Sequence, residues 1–186
     1  LWVPAGQPPH RQAPVASTAQ RLAMLQLALT ANAAFQLDDA EVREPTPSYS
    51  ITTLERLRVA CGAAQPLVLL LGIDAFLGLA NWHRWRELFG YAHIAVATRP
   101  GYVLDARNLA EPLANEFLTR LRPDSDALKT AAAGCIVTFE MTPLAISASL
   151  IRNRLSSSAS VRYLLPDAVL DYISRHSLYC HPPHGY

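Results

Sequence analysis

The chain has 186 residues, 51% of them hydrophobic and 17% charged, and its 16 basic and 15 acidic residues give a formal net charge of +1. This length suits one domain with a buried core, and the apolar fraction excludes a largely disordered chain. The charge balance argues against a nucleic-acid-binding protein that works by bulk positive charge, because no net field surrounds the chain.

Cysteine usage and the length of the apolar runs favour the cytoplasm. Cys61, Cys135 and Cys180 are odd in number and widely spaced, and the chain has no C-x-x-C pair. We therefore expect reduced thiols rather than disulfides. The longest apolar run, 67–73, is far shorter than the roughly 20 residues that cross a bilayer. We predict a cytoplasmic protein without a membrane partner.

Buried strands alternate with amphipathic helices along the chain. Continuous apolar runs are typical of strands that are covered on both faces in a parallel sheet, and they occur at 67–71, 93–97 and 135–139. Shorter strands are predicted at 1–4 and 35–37. Helices are predicted at 17–30, from a cap at Ser48 or Ser50 up to Gly62, and at 84–89, 109–121, 147–155 and 167–176. A polar loop is expected at 123–133.

This alternation predicts an α/β fold of the Rossmann-like, doubly wound type, with a parallel sheet and helices on both faces. We expect a single domain over 1–186 that ends in a small helical part over 147–179. Ligands of such sheets bind beyond the carboxyl ends of the strands. Polar, cationic or glycine residues follow four predicted strands, at 6–11, 72–74, 98–101 and 146–152. We interpret this shared edge as the binding site.

Two of these segments suit phosphate binding. Ser147 begins a helix whose free N–H groups attract an anion, Ser149 adds a hydroxyl, and Arg152 leans back toward the helix start. In the other segment, two prolines stiffen the loop that carries His10 and Arg11. An ordinary helix cap and a solvated surface loop are the alternatives, and spacing alone leaves them open.

The segment after the first buried strand, 67–71, suits a nucleoside. Gly72 lets a ligand approach the backbone, and the Asp74 carboxylate can accept hydrogen bonds from ribose or adenine groups. The alternative is that Asp74 caps a helix. Of Trp82 and Trp85, one is expected in the core while the other stacks on a flat ring, and core packing of both is the alternative.

Several motifs are missing. The chain has no G-x-x-x-x-G-K-[ST], G-x-G-x-x-G or G-x-S-x-G sequence, so P-loop enzymes, typical dinucleotide dehydrogenases and α/β-hydrolases are not supported. In the tail, Cys180, His181 and His184 would supply only three metal ligands, so we predict no protein-held metal site.

Taken in order, the segments resemble the bacterial nicotinate mononucleotide adenylyltransferases, the deamido-NAD-forming enzymes of the nucleotidyltransferase superfamily. Each motif is weak alone, whereas six in the family's order are specific. The matches are P-P-H-[KR] at 8–11, P-S-Y-[ST] at 47–50, G-x-D followed by tryptophan at 72–82, R-P-G at 99–101, I-S-x-[TS]-x-I-R at 146–152, and L-L-P with a final helix and L-Y over 164–179.

The resemblance implies transfer of AMP from ATP to nicotinate mononucleotide, with Mg²⁺ bound mainly through the ATP phosphates. It assigns catalytic contacts with the triphosphate to His10, Arg11 and Arg152. The other implied contacts are Ser147 and Ser149 with ATP, Gly72, Asp74 and Arg99 with its adenosine side, Tyr49 and Ser50 with the nicotinate carboxylate, and Trp82 with the pyridine ring. Ser149 stands where the family more often has threonine, which keeps the hydroxyl.

One family hallmark, G-G-[TS]-F-D-P-x-H-x-G-H after an N-terminal strand, is not in the sequence. It carries the superfamily's principal catalytic histidines, so we expect them in a first β-α unit upstream of Leu1. Two alternatives stay open: a non-catalytic nucleotide-binding fragment or degenerate relative, and a sister adenylyltransferase that uses nicotinamide mononucleotide or pantetheine phosphate. The P-S-Y-S segment and Trp82 argue against the sister enzyme. The oligomeric state, including a homodimer, is left open.

Overall fold

The computed structural model describes residues 1–6, 15–44 and 47–179. Contacts along the chain divide it into two compact units. The first, here called the terminal unit, consists of Leu1–Ser48 and Leu144–Tyr186, and the second, the central unit, is Tyr49–Pro143. The expected single domain over 1–186 stays a prediction.

The described residues form eight α-helices, numbered here in chain order: α1 (Thr18–Leu29), α2 (Ala40–Arg43), α3 (Ser50–Cys61), α4 (Ile73–Leu77), α5 (Leu88–Tyr91), α6 (Glu111–Arg120), α7 (Ala148–Ser156) and α8 (Asp167–Arg175). Short 3₁₀ helices lie at Leu79–Asn81, Trp85–Glu87, Ala106–Asn108 and Ser125–Lys129. None of the helices in this described part is long and apolar enough to cross a membrane.

A parallel sheet of three strands forms the middle of the central unit. The strands are β1 (Val68–Gly72), β2 (His93–Thr98) and β3 (Ile136–Glu140), in the order β1-β2-β3. Gly72 pairs with Ala97, and Thr98 pairs with Glu140, so the three carboxyl ends meet at one edge of the sheet. The prediction of an α/β fold with a parallel sheet flanked by helices is confirmed.

The core of the central unit lies between this sheet and its helices. Leu113 and Phe117, four residues apart on α6, are both buried, and the Phe117 ring packs edge-on against Phe76 at 6.1 Å between centroids. The central strand β2 is buried at nearly every position, as its continuous apolar run predicts. The β2 residue His93 is fully buried, and its Nδ1 accepts a hydrogen bond from the backbone N–H of Cys135 at 3.0 Å.

Strand β1 differs from the prediction. Its apolar run indicates burial on both faces, yet Leu70 is 68% exposed and Val68 is 40% exposed. The reason is its position: β1 is an outer strand of the described sheet, and only β2 has a partner strand on each side. An apolar run alone does not tell an edge strand from a central one.

The strands predicted at 1–4 and 35–37 are represented in the terminal unit by a single β-bridge. Trp2 pairs with Leu37 in parallel, through the hydrogen bonds Trp2 N–H to Gln36 O at 2.7 Å and Asp38 N–H to Trp2 O at 2.9 Å. In the same unit, α1 packs against α8, whose Val169 and Ile173 are buried.

Local capping signals are confirmed at two helices. The Ser17 hydroxyl accepts a hydrogen bond from the N–H of Gln20, and the Gln20 side chain accepts one from Ser17, so α1 begins in the predicted capping box. The Ser147 hydroxyl accepts a hydrogen bond from the N–H of Leu150 and caps α7.

Three other local predictions are wrong. Neither serine caps α3, because Tyr49 is the N-cap residue without a side-chain hydrogen bond, and the Ser48 hydroxyl accepts a hydrogen bond from the N–H of Gly6 instead. The segment 84–89 is a 3₁₀ turn followed by α5, which runs through Gly90 rather than ending there. The loop 123–133 contains a 3₁₀ helix that is capped by Asp124.

Candidate functional site

Gly72 and Asp74 lie at the carboxyl end of β1, where α4 begins. A Cβ atom added to Gly72 would meet nothing within 4 Å, and the backbone φ of −70° suits any residue. The glycine therefore leaves space rather than relieving backbone strain. Asp74 is exposed in the first turn of α4, and the N-cap position belongs to Gly72. The alternative that Asp74 caps this helix is therefore wrong.

Arg99 follows β2 at the same edge of the sheet. Its carbonyl accepts a hydrogen bond from the N–H of Tyr102 at 2.9 Å, which closes a turn across Pro100 and Gly101. Gly101 has a φ of 75°, the left-handed value that the third position of a type II turn requires. This turn reverses the chain beside the strand end, and the Arg99 side chain is exposed there.

A cavity of about 290 Å³ lies next to this turn, between the ends of β2 and β3 and helix α6. Apolar rings and aliphatic chains form most of its wall, and Thr98, Thr138 and Glu140 add polar groups. Arg99 directly follows Thr98, so the backbone of Arg99 lies next to this recess.

Tyr49, Ser50 and Trp82 lie in the central unit on two chain segments. Tyr49 and Trp82 are half-buried and pack against the core, and Ser50 is the first residue of α3. The Tyr49 ring lies 4.5 Å from the ring of His83, with an angle of 37° between the planes. The segment containing Trp82 is thus held beside the start of α3.

The two tryptophans differ in burial. Trp85 is 8% exposed and packs edge-on against Phe89 at 6.4 Å, so it belongs to the core. Trp82 is half-buried and also packs against the core, so the alternative of core packing stays open for it.

Ser147, Ser149 and Arg152 come together at the start of α7, in the terminal unit. Arg152 Nη2 lies 3.1 Å from Ser149 Oγ, so the guanidinium does lean back toward the helix start. All three residues are exposed. The exposed donors at this helix start can contact an anion without displacing buried groups.

Tyr179 is a further residue of this region that sequence reasoning did not assign a role. Burial raises the pKa of its phenol, and the charges of Arg152 and Arg21 oppose that shift because both guanidinium groups lie nearby. The signal that could have found it is its place in the L-Y end of the family pattern.

His10 and Arg11 lie outside the described residues, but the chain immediately before them is described. The N–H of Gly6 donates to Ser48 Oγ at 3.1 Å, and the carbonyls of Ala5 and Gly6 accept hydrogen bonds from Arg21. A Cβ atom on Gly6 would lie 2.0 Å from the Glu41 carbonyl oxygen. Only glycine fits this contact, so the chain is closely held up to residue 6.

No group of three or more His, Cys, Asp or Glu side chains within 1–6, 15–44 and 47–179 is arranged to hold a metal ion. The tail residues Cys180, His181 and His184 lie outside these ranges. The hydroxyl, guanidinium and backbone N–H groups at the start of α7 suit phosphate oxygens.

Comparisons with known proteins identify the family of the chain. A profile of the cytidylyltransferase-like family matches residues 1–154. The probable nicotinate-nucleotide adenylyltransferase of Dechloromonas aromatica is 56% identical over 178 residues, which are 96% of this chain and 82% of that protein. The chain belongs to the nicotinate-nucleotide adenylyltransferases, within the cytidylyltransferase-like family. The protein of the same description from Pseudomonas fluorescens is 45% identical, over 97% of this chain and 82% of its own length.

Two solved structures share the fold of this nucleotidyltransferase. Both are Plasmodium falciparum nicotinic acid mononucleotide adenylyltransferase, one complexed with NaAD and the other with APC. The first has a TM-score of 0.63 at 12% identity and covers 95% of this chain and 80% of its own. The second has a TM-score of 0.55 at 16% identity and covers 88% and 76%.

Proposed function

We propose that this protein transfers the adenylyl group of ATP to the 5′-phosphate of nicotinate mononucleotide, giving nicotinate adenine dinucleotide and pyrophosphate in NAD biosynthesis. The observation that carries the proposal is the 56% identity, over 96% of the chain, with a probable nicotinate-nucleotide adenylyltransferase. Within the central unit, the sheet edge presents groups that suit a nucleoside, and within the terminal unit, the exposed start of α7 presents groups that suit phosphate.

The reaction depends more on alignment of the two substrates than on proton transfer. A phosphate oxygen of the mononucleotide attacks the α-phosphorus of ATP in line, a new P–O bond forms, and the bond to the β-phosphate oxygen breaks as pyrophosphate leaves. The attacking oxygen already carries negative charge, so no strong base is required. The protein must bring two polyanions together and offset the charge on the α-phosphoryl and leaving groups.

The triphosphate side is assigned to the start of α7 and to the loop at 8–11. Arg152, Ser147 and Ser149 would donate to phosphate oxygens, which is supported by the 3.1 Å contact between Arg152 and Ser149 at the helix start. His10 and Arg11 would add positive charge to the same phosphates, a role that rests on the family pattern alone.

The nucleoside sides are assigned to the central unit. Gly72, Asp74 and Arg99 would line the adenosine of ATP, which is supported by the open space at Gly72 and by their common edge of the sheet. On the other substrate, Trp82 would stack on the pyridine ring, and Tyr49 and Ser50 would lie near the nicotinate carboxylate. The half-buried rings of Tyr49 and Trp82 support this assignment.

Mg²⁺ is proposed to enter bound to the phosphates of ATP. Mg²⁺ keeps several waters and is usually bound through substrate phosphates rather than by a protein cage, so the ion would be held through the nucleotide. When bound, the ion offsets charge on the phosphate oxygens. We further propose the cytoplasm as the compartment, since the chain has the reduced-thiol pattern discussed above.

A substrate panel tests the proposal. The protein is incubated with ATP, Mg²⁺ and one acceptor, and pyrophosphate release and the dinucleotide product are both measured. Nicotinate mononucleotide should be the preferred acceptor over nicotinamide mononucleotide and pantetheine phosphate. A preference for either of the others would identify a sister adenylyltransferase, and ATP binding without turnover on any acceptor would identify a non-catalytic nucleotide-binding protein.

A further inference from the structure

The segment that contains Trp82 and His83 contacts α3 at two places. The His83 ring stacks on that of Tyr49 at 4.5 Å between centroids. One residue further along, Arg84 Nη2 lies 2.8 Å from Glu55 Oε1. Tyr49 is the N-cap residue of α3, and Glu55 lies within the same helix. The segment is therefore attached to α3 both at its start and one and a half turns later.

Arg84 also makes an ion pair on its own side of the contact. Its Nε lies 2.8 Å from Glu87 Oε1, and its Nη2 lies 2.5 Å from Glu87 Oε2. The hydrogen bond to Glu87 is the main cause that raises the pKa of the Arg84 guanidinium, and the same bond lowers the pKa of the Glu87 carboxyl. Both groups are charged at neutral pH, and Arg84 joins a carboxylate of α3 to one of the turn Trp85–Glu87.

The backbone of Arg84 has an uncommon conformation, which its ion pairs help to hold. Arg84 has a φ of 52° and a ψ of 35°, a left-handed conformation that is uncommon for a residue other than glycine, asparagine or aspartate. The turn separates Trp82, which stays half-exposed, from Trp85, which enters the core. An uncommon backbone conformation persists where surrounding contacts hold it, and the two ion pairs of Arg84 are such contacts.

We propose that Arg84 is a positioning residue for recognition of the pyridine base, acting through its ion pairs with Glu55 and Glu87. These pairs hold Trp82 and His83 beside Tyr49, and Arg84 itself need not touch the substrate. The inference rests on the proposed function, because this surface recognises a base only if the protein binds nicotinate mononucleotide.

Exposure separates this role from a role in stability. The side chains of Arg84, Glu55 and Glu87 are 37%, 33% and 50% exposed. Ion pairs at such exposure add little to the free energy of unfolding, because water screens them and two long side chains lose freedom. Their geometric effect is larger, since a small displacement of a substrate-contacting group is costly for binding and turnover.

The test is steady-state kinetics of the Arg84→Gln variant, with the melting temperature measured alongside. We expect the KM for nicotinate mononucleotide to rise about tenfold, while the KM for ATP and kcat stay within about twofold. Glu55→Gln removes the attachment to α3 but leaves the pair with Glu87, so it should give part of the same rise. The double variant should resemble Arg84→Gln, because both changes remove one shared contact.

Arg107→Gln is the matched control. Arg107 forms an exposed ion pair with Asp105 at 2.7 Å in the same unit, so its loss should leave both KM values unchanged. An unchanged KM for the mononucleotide in Arg84→Gln would overturn the inference, and so would an equal rise of both KM values, which indicates general loosening. Should Arg84→Gln not fold, Glu55→Gln and Arg84→Lys decide by the same criteria.

The two proposals fail in different ways. A wild-type protein that forms no dinucleotide from nicotinate mononucleotide overturns the proposed function and this inference together. An active wild type whose Arg84→Gln and Glu55→Gln variants keep a normal KM for the mononucleotide overturns the inference alone.

Discussion

The start of α7 and the surroundings of Trp82 are built in contrasting ways. At α7 the candidate residues Ser147, Ser149 and Arg152 are exposed, and the helix has no buried residue. Around Trp82 the aromatic rings pack on the core, and Arg84 is held by two carboxylates. The difference follows from the two ligand chemistries. Phosphate is attracted by charge and free N–H groups that need little shaping, whereas a flat ring is selected by a surface of fixed shape.

The largest effect is expected from a change at the exposed start of α7. Arg152→Ala should lower kcat by about 100-fold or more, because it removes the positive charge that is proposed to contact the triphosphate. The melting temperature should hardly change, because the side chain is exposed and its described hydrogen bond is to Ser149. Steady-state kinetics and thermal unfolding measure both. Arg175→Ala, an exposed arginine of α8, is the control, and near-normal turnover of Arg152→Ala would disprove the triphosphate role.

The two tryptophans test the other side. Trp82→Ala should raise the KM for nicotinate mononucleotide about tenfold or more, because it removes the stacking surface. Trp82→Phe keeps an aromatic ring, so its KM should be much closer to the wild-type value. Trp85→Ala should instead lower the free energy of unfolding by about 3–5 kcal/mol, because it empties a core position. Kinetics and denaturant unfolding separate the two. If Trp82→Ala changed only the KM for ATP, its assignment to the base of the mononucleotide would be wrong.

A moderate effect is expected where the chain approaches residue 7. Gly6→Ala forces the backbone away from Glu41, because the added Cβ would lie 2.0 Å from the carbonyl oxygen. We expect a lower melting temperature and, since Gly6 leads into the segment of His10 and Arg11, a raised KM for ATP. Ser48→Ala removes the hydrogen bond to Gly6 and should lower the free energy of unfolding by about 1 kcal/mol. Equal KM values for ATP in Gly6→Ala and the wild type would contradict the link to the triphosphate.

The smallest effect is expected from a change at Arg107, which has no assigned role at the start of α7 or around Trp82. Its hydrogen bonds lower the pKa of the Asp105 carboxyl to about 2. A carboxyl with a lowered pKa stabilises the fold above its ordinary pKa of 3.8, and this contribution is lost as the pH falls toward 2. In Arg107→Gln the Asp105 carboxyl should titrate closer to 3.8, as followed by NMR, with unchanged kinetics at neutral pH. An unshifted titration would show that the ion pair does not form in solution.

Much of the molecule was determined by the sequence alone. The strands β1, β2 and β3, the capping box of α1 and the serine cap of α7 follow from apolar runs and from side chains that bond to backbone within three residues. The family followed from six motifs in order, because each motif is a contiguous segment. Such signals depend on neighbours along the chain, and they survive without knowledge of the fold.

Only the tertiary structure decided which residues meet across long stretches of chain. The stacking of Tyr49 on His83, the ion pair of Arg84 with Glu55, the hydrogen bond from Gly6 to Ser48 and the exposed face of β1 leave no local pattern. The residues next to Ser48 predict that it caps α3. In the fold, its hydroxyl instead accepts a hydrogen bond from the N–H of Gly6. The physical reason is that packing and burial depend on the partners the fold supplies, whereas helix caps and strand periodicity depend on the adjacent residues.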